Sequence, residues 1–380
     1  MRAADMQRAS ELERQRLLDD FVRLCQVESP SRREREIADA VADELRAIGL
    51  EVEEDASGGE TGSEAGNLLA RVPGPDGART ILLCAHLDTV PLAAPVEVAR
   101  EDGMLRNRND AILGADNKAA VATILGVARR LAVEGSPVGL EVLFTTCEEL
   151  ALAGAKAFDE GRLRAEFGFV FDHASPVGEL IMAAPSYYRL EAEFRGRAAH
   201  AGIRPEDGRN AIAAAARAIA AMPLGRLDPE TTANVGGIEG GTATNVVAER
   251  CRVELEARSV DEARAGEVVQ RLVDAASEAA SDAECDVETG VERLFRGYRL
   301  SRGSPPVEAA AQALEALGIE PSYVTTGGGS DANAFIAAGL PVLNVANGTE
   351  HNHEPDECVS VQALEGVLDL TLGIVAASAG

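Results

Sequence analysis

The stretch Leu83-Cys84-Ala85-His86-Leu87-Asp88-Thr89-Val90-Pro91 follows the apolar run Thr80-Ile81-Leu82 and ends on a histidine and an aspartate two positions apart. In extended backbone residues i and i+2 share a face, so His86 and Asp88 are expected side by side. A carboxylate in that position can hold the tautomer and orientation of a metal-binding imidazole. Taken alone, the pair reads more readily as a strand end whose polar groups meet water. Other apolar runs, however, end in the same way. Glu148 and Glu149 follow "LEVLFTTC", Asp172 and His173 follow "EFGFVF", and His353 lies in "GTEHNHEPDE" after "PVLNVAN". Asp116, in "LGADNKAA", heads a helical stretch between the first two of these runs. All five histidines (86, 173, 200, 351 and 353) fall in loops or at strand ends. Carboxylates grouped with imidazoles suit a borderline divalent metal, most readily Zn²⁺, with Mn²⁺ or Co²⁺ as alternatives. Gathering so many acids in one place is costly unless cations sit among them.

The elements that must position these residues alternate along the chain. Two helices open it. The second is signposted by Ser31-x-x-Glu34, which reads as a capping box, then by Ile37, Val41, Leu45 and Ile48 at helical spacing, with Gly49 closing it. After a loop over 55–66, strand-like and helix-like segments alternate to about residue 185. That pattern predicts βαβ units and a mainly parallel, mixed sheet flanked by helices, an α/β fold. Ligand sites in such sheets form beyond the carboxyl ends of the strands, where the acids and histidines fall. From about residue 186 the order becomes β-α-β-β-α-β, that of a ferredoxin-like α+β unit, and the α/β style resumes near residue 297. The expected organisation is a discontinuous α/β domain (1–185 and 297–380) interrupted by an inserted α+β domain (186–296).

Composition narrows the function. Of 380 residues, 36 are Lys or Arg and 63 Asp or Glu, giving a formal net charge of −27. Such a surface repels phosphate backbones and anionic membranes, so neither a nucleic acid nor a membrane is an expected partner. No apolar run reaches spanning length, and the charged N-terminus carries no signal-peptide pattern. Six cysteines without a CxxC pair fit reduced thiols, and the expected location is the cytoplasm.

Seven stretches together resemble the M20 family of dinuclear metallopeptidases, most of all its tripeptidase (peptidase T-like) branch. They are "HLDTVP", "GADNKAAVA", "TTCEELALAGA", "FRGRAAHAGIRPEDGRNAI", "GGTATNVV", "GGGSDANAF" and "HNHEPDE", in that order between residues 86 and 357. The resemblance implies two divalent ions. His86 and Asp172 would hold one, Glu149 and His353 the other, and Asp116 would bridge them. Asp88 would orient His86, and Glu148 would be the general base. His200, on the inserted domain, would donate to the developing oxyanion. Asn245, Arg258, Gly329 and Ser330 would face the substrate. The implied activity is that of an exopeptidase acting on short peptides, with a homodimer through the inserted domain as a further implication. One position departs from the branch, where an acid often follows the bridging aspartate and this chain has Asn117.

Other readings of the same residues stay open at this stage. The metals could serve an amidohydrolase that removes acyl groups from amino acids, or a carboxypeptidase, or a metal-binding protein without catalysis. An unligated Glu148 argues against the last. Arg258 could simply pair with Asp261, and His351 competes with His353 as the ligand. The glycines of "GGGSDAN" match neither GxxxxGK[ST] nor GxGxxG, so they do not mark a phosphate loop.

Overall fold

The computed structural model describes residues 8–379. They divide into two compact units, one running to Met182 and taking in Leu300–Val324 and Ser330 onward, the other Ala183–Arg299 with Thr325–Gly329.

Four parallel strands form the middle of the first unit's sheet, in the spatial order Gly139–Thr145, Thr80–His86, Phe167–Val170 and Val342–Val345. Their residues are almost all buried, as befits strands covered on both faces. Antiparallel strands flank them, Leu68–Val72 and Val52–Glu54 on one side and Glu179–Ala184 on the other, so the sheet is mixed. The helix Ala115–Glu134 packs on the Thr80–His86 strand and against helices Glu11–Cys25 and Val361–Ala377. It is buried nearly all round over its first half, which explains its run of alanines and β-branched residues. Helix Pro305–Leu317 packs on Val361–Ala377 and on the Phe167–Val170 strand.

A second sheet was not legible in the sequence. Strands Val98–Glu101, Met104–Asn107, Cys358–Ser360 and Thr349–Glu350 pair in that order. It joins segments some 250 positions apart and anchors both ends of the loop that carries His353.

The second unit has the strand order Thr231–Gly240, Arg250–Ser259, Ser186–Arg195, Asp286–Phe295, all antiparallel, with a short strand Gly225–Asp228 at one edge. Helices Ala211–Ala221 and Glu262–Asp282 pack on it. Apart from the edge strand, this is the ferredoxin-like arrangement. Its core is separate from that of the first unit.

The expected capping box is absent. The helix Arg35–Ala47 has Glu34 at its N-cap with no side-chain cap bond. Ser31 Oγ instead donates to Asp88 Oδ2 at 2.7 Å, and Glu34 Oε1 accepts the Cys147 N–H at 3.0 Å. Both side chains are drawn into the strand ends because unpaired buried backbone and carboxylate groups there cost more than an uncapped helix end. Among the described residues no helix is long and apolar enough to cross a membrane.

Candidate metal centre

Glu148, Glu149 and Asp172 lie just past the carboxyl ends of two of the four parallel strands, Asp116 in the first turn of helix Ala115–Glu134, and His353 in the loop between Thr349–Glu350 and Cys358–Ser360. His86 is the last residue of its strand and is 2% exposed. Its Nδ1 lies 2.9 Å from the Asp88 carbonyl oxygen and 3.5 Å from Asp88 Oδ1. This turns Nε2 outward, to within 3.2 Å of Asp116 Oδ1 and 3.6 Å of Asp172 Oδ1. Asp116 presents its other oxygen elsewhere. Oδ2 is 3.3 Å from His353 Nε2, which is itself 2.8 Å from Glu149 Oε1. One carboxylate thus faces two imidazoles, each accompanied by a further acid.

The two glutamates diverge. Ligand atoms of His86, Glu148 and Asp172 lie within 4.8 Å of one another, as do those of His86, Asp116 and Glu149. Their backbone follows no regular element, so its N–H groups need side-chain acceptors. Thr146 N–H donates to Asn67 Oδ1, Cys147 N–H to Glu34 Oε1, Glu148 N–H to Asp88 Oδ1 and Glu149 N–H to Asp88 Oδ2. Gly154 packs so tightly here that a Cβ would come 1.9 Å from the Thr146 carbonyl oxygen.

The Asp172 backbone is bracketed by Asn344, whose Oδ1 accepts the Asp172 N–H at 3.0 Å while its Nδ2 donates to the Asp172 carbonyl at 2.9 Å. The turn carrying Asp116 is fixed by Glu357, which accepts from Gly114 N–H at 2.7 Å and Asp116 N–H at 2.8 Å. Gly114 has φ 74°, the left-handed region that suits glycine. The peptide bond between Asp116 and Asn117 is cis.

The electrostatics call for positive charge. Burial, then repulsion from Asp172, pushes Glu148 well above the usual carboxylate range. Burial likewise raises Glu149 and Asp172. Burial opposes a charge on His86, yet its bonds to Asp116, Asp172 and Asp88 outweigh that and hold it well above the ordinary imidazole value. Asp116 and Glu149 raise His353 to about 10. Carboxylates that resist ionising beside imidazoles that grip protons are the signature of an anionic nest built for cations. The donor set of imidazole nitrogens and carboxylate oxygens suits divalent metals, so these residues fit two ions.

His351 does not join this group. It lies 3.5 Å from Asp356 and 3.9 Å from Glu354 in an exposed cluster. His173 is held below the ordinary imidazole value by burial and has no place in the ligand set.

Five other residues singled out from sequence have surroundings of their own. His200 and Asn245 are exposed in the second unit and adjacent there: Ala201 N–H donates to the Asn245 carbonyl at 3.0 Å, and His200 bridges Val246. Arg258 does not pair with Asp261, which caps helix Glu262–Asp282. Arg258 instead pairs with Glu256 at 3.1 Å, stacks over Tyr187 at 4.1 Å and donates to the Gly327 carbonyl at 3.3 Å. Gly329 abuts the Phe295 ring, and Ser330 is buried at the N-cap of helix Asp331–Ala338. Sequence reasoning missed Glu34, Asn67, Asn344 and Glu357. Of these only Glu357 carried a signal, as the last residue of "HNHEPDE".

Fold and site together define a metal-dependent hydrolase of the peptidase class. A model described as the peptidase dimerisation domain matches residues 186–284, and one for peptidase family M28 matches residues 67–192. The chain is 37% identical to the aminopeptidase PepT of Bacillus cereus ATCC 10987, with a TM-score of 0.89 over 97% of this chain and 99% of that one. It is 32% identical to a tripeptidase of Staphylococcus aureus, with a TM-score of 0.92 over 96% and 98%. It is also 36% identical over 361 residues to the uncharacterized protein YqjE of Bacillus subtilis, covering 95% of this chain and 97% of that one. The chain belongs to the M20 metallopeptidase family, in its peptidase T-like branch.

Proposed function

We propose that the protein is a two-metal exopeptidase that releases the amino-terminal residue of short peptides, tripeptides above all. The observation that carries this reading is the division of Asp116, one oxygen toward His86 and Asp172 and the other toward His353 and Glu149. His86, Asp172 and Asp116 would hold one ion, and Asp116, Glu149 and His353 the other. We favour Zn²⁺, with Co²⁺ or Mn²⁺ able to replace it. When bound, a metal pair lowers the pKa of a water towards neutrality and polarises the scissile carbonyl.

The chain's own residues supply the proton transfers. Glu148, buried and raised in pKa, takes a proton from the attacking water on a carboxylate oxygen and delivers it to the leaving amine nitrogen. Asp88 holds the backbone from which Glu148 projects. The substrate-facing roles that the family resemblance gives His200, Asn245, Arg258, Gly329 and Ser330 are proposed along with it. A cytoplasmic location is supported by six cysteines that are all buried free thiols. A homodimer through the second unit is supported by its match to a peptidase dimerisation domain.

The test is a release assay on metal-loaded protein with tripeptides, dipeptides, carboxy-terminally distinctive peptides and N-acyl amino acids. Release of the amino-terminal residue from tripeptides is expected. Cleavage of the acyl compounds alone would replace the aminopeptidase reading with that of a deacylase.

A further inference from the structure

We propose that Glu357 is a positioning residue that sets the distance between His353 and Asp116, and with it the affinity of the second ion. The inference rests on the two-metal reading above and names a residue that reading leaves out.

Glu357 is 1% exposed, a rare place for a carboxylate. Each of its oxygens is engaged by a different backbone N–H of one turn, Oε2 by Gly114 at 2.7 Å and Oε1 by Asp116 at 2.8 Å. The second of these donors belongs to the residue whose carboxylate is shared between the two ligand sets. Glu357 also lies four positions after His353. The intervening segment is tightly folded, with Glu354 N–H bonded to the His351 carbonyl and Glu357 N–H to the Glu354 carbonyl. Immediately afterwards, Cys358–Ser360 pairs with Met104–Asn107.

One short segment therefore touches Asp116 twice. His353 reaches its side chain at 3.3 Å, and Glu357 grips its backbone. The opposite ligands arrive differently. His86 and Asp172 come from strands Thr80–His86 and Phe167–Val170, which pair directly with each other. Loss of the clamp should thus loosen the Asp116–Glu149–His353 set more than the set built on His86 and Asp172.

Chemistry explains why a carboxylate stands here. Two N–H donors point at two oxygens, and a carboxyl group has an acceptor oxygen for each. A glutamine would turn its own NH₂ towards one of them.

The test compares Glu357→Gln with Glu141→Gln in metal-free protein titrated with Zn²⁺ by calorimetry. Glu141 is the matched control. It too is 1% exposed and accepts two backbone N–H groups, from Arg164 at 2.8 Å and Ala165 at 3.0 Å, but at the opposite end of the Gly139–Thr145 strand. Thermal unfolding of the metal-free forms should fall in both variants. Zn²⁺ affinity in one of two binding steps should fall only in Glu357→Gln, by about 10–100-fold. Glu357→Asp, which keeps the charge but withdraws it by one methylene, should fall between the two and takes the place of Glu357→Gln if that variant does not fold. Wild-type affinity in both steps for the Glu357 variants, or an equal loss in Glu141→Gln, would overturn the proposal alone. A wild-type protein that binds no Zn²⁺ would overturn the two-metal reading and this inference with it.

Discussion

The carboxylate of Asp88 holds Glu148 by the backbone: Oδ1 accepts the Glu148 N–H at 2.9 Å. Its other oxygen takes the Glu149 N–H at 3.2 Å and the Ser31 hydroxyl at 2.7 Å. Asp88 is therefore chiefly an anchor for the segment bearing both glutamates, and His86 Nδ1 lies nearer its carbonyl oxygen, at 2.9 Å, than its Oδ1, at 3.5 Å. Asp88→Asn keeps that carbonyl but offers one side-chain acceptor where two oxygens took three donors. Activity should fall about 10–100-fold, as for the loss of groups that orient metal ligands. Initial rates with a tripeptide check this, and an unchanged rate would show the anchor to be dispensable.

Glu148→Gln separates binding from turnover. The amide keeps the shape of the side chain but cannot take a proton. The variant should retain its metal content by elemental analysis and lose kcat by about 10²–10⁴-fold. Unchanged kcat would remove Glu148 from the proton transfer.

Asp331 gives the metal-free protein a pH-dependent stability. It is buried, its Oδ2 accepts the Thr145 hydroxyl at 2.5 Å, and burial raises it to about 7. An unfolded aspartate releases its proton near 3.9, so between about pH 4 and 7 the folded form binds more protons than the unfolded form. Stability from this group is then highest at low pH and declines as pH rises through that window. Asp331→Asn, which does not ionise, should lessen the decline by roughly 2–4 kcal/mol. Urea unfolding at pH 5 and pH 8 in the presence of chelator measures it. An identical pH dependence in variant and wild type would rule the group out.

Gly329→Ala tests the packing behind Arg258. A Cβ at Gly329 would come 2.3 Å from the Phe295 ring. Phe295 meets Tyr187 edge-on at 5.4 Å between ring centres, and Tyr187 carries the Arg258 guanidinium. Moving this stack should cost about 1–3 kcal/mol, read as a lower urea midpoint. A midpoint equal to that of the wild type would mean the ring has room to move.

How much of this was legible in the sequence followed from how local each feature is. His86, Glu148, Glu149 and Asp172 stand at or just past the ends of continuous apolar runs, so periodicity alone placed them on one rim. The ferredoxin-like order was readable for the same reason. Glu34 and Ser31 were misread because the spacing of a helix cap is satisfied by residues that in fact reach Cys147 and Asp88, 113 and 57 positions away. Asn344 sits inside an apolar strand, where nothing nearby hints that it brackets Asp172. The sheet joining Met104–Asn107 to Cys358–Ser360 was equally hidden, since strand partners that far apart leave no periodic trace.

The central claim is that two ions share Asp116. Anomalous diffraction from crystals grown with Zn²⁺ measures it most directly. Two peaks about 3.5–4 Å apart are expected, one beside His86 and Asp172, one beside Glu149 and His353, with an Asp116 oxygen on each. A single peak, or metal only at the exposed cluster of His351, Glu354 and Asp356, would contradict the account.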